Sequence, residues 1–140
     1  VMPVLKSTKT KRVYDVPTII SIFRSWDDEY KLYVGLEKAF VKGMVSGRVA
    51  CFSTGFCYGI FHGVLSELNI SYEIIAPKTW QKEIFKGITA KDTKQASLIY
   101  CQRKYPELDF TATERSTKFH DGITDSLCIA VMTWRWNYGS

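Results

Sequence analysis

The stretch Lys31-Leu-Tyr-Val-Gly-Leu-Glu37-Lys-Ala-Phe40 decides the fold of this chain. Its central residues are apolar and bounded by polar segments, which is the pattern of a buried strand. Glu37 is the exception, because a carboxylate inside an apolar strand costs several kcal/mol unless a cation or a hydrogen-bond donor compensates it. We therefore expect Glu37 either to serve a function or, in the simpler interpretation, to pair with a lysine.

Two further acids open the last apolar segment, His120-Asp-Gly-Ile-Thr-Asp125-Ser-Leu-Cys-Ile-Ala-Val-Met-Thr-Trp134. Asp121 and Asp125 are four residues apart, so they lie on one face of a helix. Acids grouped at the ends of structural elements are what a hard divalent cation such as Mg²⁺ requires. The simpler alternative is that the two aspartates only cap the helix.

The composition describes a folded protein. A chain of 140 residues, 46% of them hydrophobic, is long enough for one domain with a single core and too short for two. The net charge of +5 fits a polyanionic partner without requiring one. The four cysteines show no Cys-x-x-Cys spacing and are expected to be free thiols. We find no signal-peptide pattern and no apolar stretch of about 18 residues, which predicts a soluble, intracellular protein without a membrane partner.

The order of elements predicts an α/β fold with a mixed central sheet flanked by helices. Asp15 and Pro17 are typical of a helix start. The expected strands are 1–5, 31–40 and 72–76, the expected helices are 18–26, 55–69, 79–86, 91–104 and 120–136, and 41–54 and 107–119 are expected to be loops. The expected core comprises Val34, Leu36, Ile60, Val64, Ile74, Ile75, Leu98, Leu127, Ile129 and Ala130.

Three glycines, Gly55, Gly59 and Gly63, fall on one face of the second of these helices. Each glycine inside a helix costs about 1 kcal/mol, so three aligned ones need a reason. We expect another backbone to approach closely there, either a neighbouring element or a DNA strand.

The order of these motifs resembles the RuvC-type Holliday-junction resolvases, in particular their phage and organellar branch. The resemblance covers roughly residues 1–136 and is carried by five motifs in the same order. They are Glu37-x-x-Phe40, Gly55-x-x-x-Gly59, the strand ending Ala76-Pro77, the following Pro77-x-x-Trp80 with Lys82, and the carboxylate helix that begins His120-Asp-Gly-Ile-Thr-Asp125.

The resemblance implies a ribonuclease-H-like fold and a homodimer that cleaves four-way (Holliday) junction DNA with Mg²⁺, or with Mn²⁺ in its place, in DNA recombination and repair. It implies that Glu37, Asp121 and Asp125 are metal ligands, and His120 is a candidate for positioning or protonating a water or a phosphate oxygen. Phe40 would stack on an unpaired base. Lys82 and Lys94 match basic residues that face the junction backbone, and the further candidate DNA contacts are Lys42, Arg48, Gly55 and Lys78.

One departure is large: the family's first metal ligand, an aspartate on the first strand, has no counterpart here. Asp15 precedes a helix in a turn, so we do not assign it to the site. We expect residues 1–140 to form a single resolvase-like nuclease domain that is incomplete at its N-terminus, binds junctions and cuts them poorly. Two alternatives remain open: a non-catalytic module that binds branched DNA, and a nuclease that acts on RNA–DNA hybrids. A pure binder has no reason to keep three acids that repel phosphate, which favours the enzyme.

Overall fold

The structure is a computed structural model that describes residues 4–5, 13–39 and 47–139. It is a mixed α/β protein, 60% helical, with a small sheet of two parallel strands. This agrees with the predicted α/β class. The elements in chain order are β1 (Val4–Leu5), β2 (Val13–Tyr14), α1 (Val16–Glu29), β3 (Tyr33–Glu37), α2 (Arg48–Glu67), β4 (Ser71–Ile75), α3 (Pro77–Ile84), α4 (Thr93–Lys104) and α5 (Asp121–Tyr138).

The chain divides into two compact units. The first consists of Met2–Tyr33 with Ala39–Tyr72, and the second of Val34–Lys38 with Glu73–Ser140. In the first unit β1 and β2 pair antiparallel. The prediction for the start of α1 is confirmed, because the Asp15 carboxylate accepts a hydrogen bond from the Thr18 N–H at 3.1 Å and Pro17 lies in the first turn.

Helix α2 differs from the sequence expectation, since it begins at Arg48 rather than at Gly55. The expected loop 41–54 is therefore wrong for residues 48–54. By length and composition alone, the helix is long and apolar enough to cross a membrane. Only 11% of its most apolar 18-residue stretch is buried. This corrects the expectation that no apolar stretch approaches 18 residues. Apart from the helix's own nearby backbone, no described atom lies within 4 Å of the position that a Cβ would take at Gly55, Gly59 or Gly63, so no other element of the described chain makes the close approach expected on this face.

The sheet of the second unit joins the ends of β3 and β4. The Lys38 N–H donates to the Ile75 carbonyl at 2.8 Å, which ties the carboxyl ends of the two parallel strands together. Pro77 then begins α3 directly after β4, where its missing N–H leaves no donor unsatisfied. Ile75 is buried as predicted, but Ile74 is 50% exposed, because successive side chains of a strand point to opposite faces.

The core of the second unit is built mainly on α5. Trp80 and Ile84 of α3, Cys101 of α4, and Cys128 and Met132 of α5 are all buried in one cluster. The prediction that Ala130 belongs to the core is wrong, since it is exposed on α5. The cysteines of the described residues are free thiols, as expected.

Candidate functional site

Glu37 ends β3 and is held by a tryptophan. The Trp80 indole N–H donates to the Glu37 carboxylate at 2.8 Å, and Trp80 itself is only 1% exposed. Among the described residues, the group seen to compensate Glu37 is therefore a neutral donor and not the lysine of the simpler interpretation. A hydrogen bond from a neutral donor fixes the position of the carboxylate without neutralising its charge. Glu37 is half-buried, so the carboxylate keeps some access to solvent or to a ligand.

Asp121 and His120 lie where the carboxylate helix begins. His120 is the N-cap residue of α5, its side chain makes no capping hydrogen bond, and it is exposed. Asp121, in the first turn, forms an ion pair with Lys94 of α4. This partner raises the pKa of Lys94 through its hydrogen bond and its charge. Lys94, a predicted DNA contact, thus lies beside one of the predicted metal ligands.

Asp125 follows one turn later and is less well compensated. Burial raises the pKa of the Asp125 carboxyl, a hydrogen bond with Ser97 opposes that shift, the negative charge of Asp121 adds to it, and Lys94 reduces it. The net direction is upward. Ser97 is fully buried and its hydroxyl contacts that of Thr124 at 3.1 Å, which fixes α4 against α5 at this point. A carboxylate kept in a half-buried position beside a like charge is typical of functional sites.

This shift predicts that Asp125 destabilises the fold at neutral pH. The folded-state pKa lies above the ordinary value, so the folded chain binds the proton more tightly than the unfolded chain. Stability therefore falls as the pH rises from the unfolded-state pKa, near 3.8, through the raised folded-state value. Asp125→Asn should raise the melting temperature at neutral pH, and the gain should vanish in acid. Thermal unfolding followed by circular dichroism across the pH range measures this.

Asp109→Asn is the control, because its melting temperature at neutral pH should change in the opposite direction. The pKa of Asp109 is lowered by hydrogen bonds from the backbone N–H and the hydroxyl of Thr111. The charged form of Asp109 therefore stabilises the fold at a pH above the unfolded-state pKa, near 3.8. Its amide variant should be less stable than the wild type at neutral pH. A lower melting temperature for Asp125→Asn as well would contradict the interpretation of Asp125.

The structure brings some of the predicted metal ligands together and not others. Asp121 and Asp125 share one end of α5, whereas the contact that the structure shows for Glu37 is with Trp80. Within residues 13–39 and 47–139, no group of three or more His, Cys, Asp or Glu side chains is arranged to hold a metal ion. The carboxylates have the hard oxygen donors that Mg²⁺ prefers, but the described residues do not by themselves assemble its coordination site.

The predicted DNA contacts fall on several surfaces. Lys78 and Lys82 are exposed on α3 and line a cleft of about 490 Å³ together with Trp136 of α5. In the other unit, Arg48 and Gly55 are exposed on α2. Phe40 and Lys42 lie outside the described residues.

Two contacts of this site were not predicted. The first is the hydrogen bond from Trp80 to Glu37, although the spacing Pro77-x-x-Trp80 after a strand could have indicated a side chain that turns back toward the strand end. Ser97 and its contact with Thr124 gave no signal, because small hydroxyl residues are common on packed helices.

Comparison with protein-family models and with curated protein sequences finds no match for this chain.

Proposed function

We propose that this chain is a RuvC-like nuclease domain with a ribonuclease-H-like fold, which resolves four-way DNA junctions in recombination and repair. Glu37, Asp121 and Asp125 are the proposed ligands of Mg²⁺, which Mn²⁺ can replace, and His120 is the proposed acid–base residue. The observation that supports the proposal most directly is Asp125. The fold keeps this acid half-buried, one helical turn from a second acid, Asp121, and burial raises the pKa of its carboxyl.

The strand geometry supports the same proposal. Glu37 lies at the carboxyl end of β3, and the parallel partner β4 ends beside it, where Ala76-Pro77 leads into α3. Ligands of α/β sheets bind outside the carboxyl ends of parallel strands. The Trp80 hydrogen bond orients the carboxylate at this edge.

The proposed substrate contact is mainly with phosphates. Lys78 and Lys82 are exposed along one face of α3, and Trp136 offers an aromatic surface in the same cleft. Lysines of this kind bind the backbone, and stacking of a base on an aromatic ring is worth roughly 1–3 kcal/mol.

The proposed partner in solution is a second copy of the chain, docked through α2. Val49, Phe52 and Phe56 are 83%, 74% and 53% exposed on this helix, and no other element of the described chain covers its glycine face. An exposed apolar surface of this kind marks an interaction site. Two copies would present two sites to the two strands of a symmetric junction.

A non-catalytic module that binds branched DNA is the second candidate. It is favoured by the finding that the described residues do not assemble a metal site. The two candidates agree on junction binding and differ on Glu37, whose carboxylate the enzyme needs and the binder does not.

Junction binding tests the part that both candidates share. In EDTA, the chain should bind a fluorescent four-way junction at least about tenfold more tightly than a linear duplex of the same sequence, a difference of about 1.4 kcal/mol. Affinity should fall steeply with salt, as a phosphate-dominated interface requires. Light scattering of the complex should give two chains per junction. Equal affinity for junction and duplex would overturn both candidates.

A further inference from the structure

A second cleft of about 440 Å³ lies where the C-terminal ends of α3, α4 and α5 meet in the second unit. Four basic residues line it, against one acid, Glu83. The basic residues are Lys86, Arg103, Lys104 and Arg135. We name it the Tyr100 cleft after the half-buried tyrosine in its wall. Its volume is within the range of small-ligand sites.

Tyr100 holds two of the cations in place. Its hydroxyl accepts hydrogen bonds from the Arg135 guanidinium at 3.3 Å and from the Lys104 ammonium at 3.5 Å. The Lys104 ammonium also lies 5.9 Å from the Tyr100 ring centroid and 5.7 Å from that of Tyr105. A guanidinium has five N–H donors and an ammonium three, so one neutral phenol leaves most of them available.

The phenol does not neutralise these charges. Burial raises the pKa of Tyr100 and Arg135 only partly opposes this, so the hydroxyl stays protonated at neutral pH. In the part of the chain that the structure describes, the ion pair seen joins Lys94 to Asp121, and no carboxylate pairs with a cation of the Tyr100 cleft.

The simplest account of these cations is that they compensate helix dipoles. Arg103 and Lys104 are in the last turn of α4, and Arg135 is in the last turn of α5. Each helix C-terminus carries roughly half a negative charge, so three of them offset about one and a half positive charges. With Glu83 included, more than one positive charge is left over. Compensation of helix dipoles therefore explains only part of the cluster.

The cleft is separate from the acidic end of α5. Arg135 follows Asp125 by ten residues, which is about 15 Å along a helix axis. A stacked nucleic-acid strand covers this length in about four nucleotides at 3.4 Å each.

We infer that the Tyr100 cleft binds a phosphate group, carried either by a nucleic-acid strand or by a free phosphate compound, through Arg135, Lys104, Arg103 and Lys86. The inference does not depend on a junction or on the carboxylates. It therefore survives if the chain fails to prefer junctions or to cleave them.

The test uses a short fluorescein-labelled oligothymidylate in EDTA, with anisotropy measured over a series of salt concentrations. Lys104→Gln and Arg135→Gln should each weaken binding several-fold and reduce the slope of log affinity against log salt by roughly 0.7, the value for one phosphate contact on a single strand. Tyr100→Phe, which keeps the ring and removes the acceptor that orients both cations, should weaken binding less.

Lys118→Gln is the matched control. Lys118 is exposed, and its hydrogen bonds with Ser116 involve only its backbone, so its variant should bind as the wild type does. If Lys104→Gln and Arg135→Gln lower the melting temperature but bind with the affinity and slope of the control, the cations only compensate helix dipoles and the inference is overturned. Lys104 is exposed, so at least that variant should fold.

Competition by inorganic pyrophosphate at constant ionic strength identifies the source of the phosphate. If pyrophosphate displaces the oligothymidylate from the wild type, and displaces it less effectively from Arg135→Gln, free phosphate compounds enter the cleft. If pyrophosphate leaves oligothymidylate binding unchanged while Lys104→Gln and Arg135→Gln still bind the oligothymidylate weakly, the cleft takes phosphates of a strand.

Discussion

Glu37→Gln is expected to abolish junction cleavage in Mg²⁺ while leaving junction binding unchanged. The substitution replaces one carboxylate oxygen by an amide group and keeps an oxygen that can accept the 2.8 Å hydrogen bond from Trp80, so the end of β3 should keep its place. What is lost is the negative charge, which the proposed metal ligand needs and which the neutral indole does not replace. The rate should fall by more than the roughly 10–100-fold that loss of an outer-shell partner of a metal costs.

Cleavage of a labelled junction under single-turnover conditions measures the chemical step, and anisotropy in EDTA measures binding. Glu107→Gln serves as the control, because Glu107 is an exposed acid in the loop after α4. If Glu37→Gln cuts at the wild-type rate, Glu37 is not a ligand. If neither protein cuts although both bind, the non-catalytic module is the better description.

Much of the local structure could be predicted from the chain because its signals are short-range. The Asp15 cap with Pro17, the end of β4 before Pro77 and the start of α5 at His120 each depend on neighbouring residues, and each is present in the structure. The start of α2 could not be predicted in this way. Its N-cap Gly47 makes no side-chain hydrogen bond, and the glycines around it are more typical of a loop.

Which face of an element is buried was harder to predict. Ile74 and Ala130 both lie in continuous apolar runs, and such a run does not indicate which of its residues face the core. Ile74 is exposed next to buried Ile75, and Ala130 is exposed next to buried Ile129. In the candidate site, too, local relations could be predicted and tertiary contacts could not. The pairing of Asp121 with Asp125 follows from helical spacing, whereas the Trp80 partner of Glu37 is 43 residues away and depends on tertiary packing.

Gly35→Ala is expected to destabilise the second unit strongly, although it adds only one methyl group. A Cβ on Gly35 would lie 2.8 Å from the Ile129 methyl carbon and 3.1 Å from the Ile75 methyl carbon, and it would overlap the Thr133 hydroxyl. Thr133 cannot easily turn away, since it is 2% exposed and its hydroxyl donates to the Ile129 carbonyl at 2.8 Å. Overpacking costs about 1–3 kcal/mol and an unsatisfied buried hydroxyl about as much again, so we expect a loss of about 3 kcal/mol or more.

This glycine sets how closely α5 approaches β3, and therefore how the two elements that carry the proposed ligands are held. The melting temperature of Gly35→Ala should fall by about 10 °C or more. Gly63→Ala is the matched control, because no other element of the described chain lies within 4 Å of its Cβ position and a helical alanine should add up to about 1 kcal/mol. Combining Gly35→Ala with Thr133→Ala should cost less than the sum of the two single changes, since the second removes part of the overlap. Additive losses, or a Gly35→Ala variant as stable as the control, would show that β3 and α5 do not pack as closely as the structure indicates.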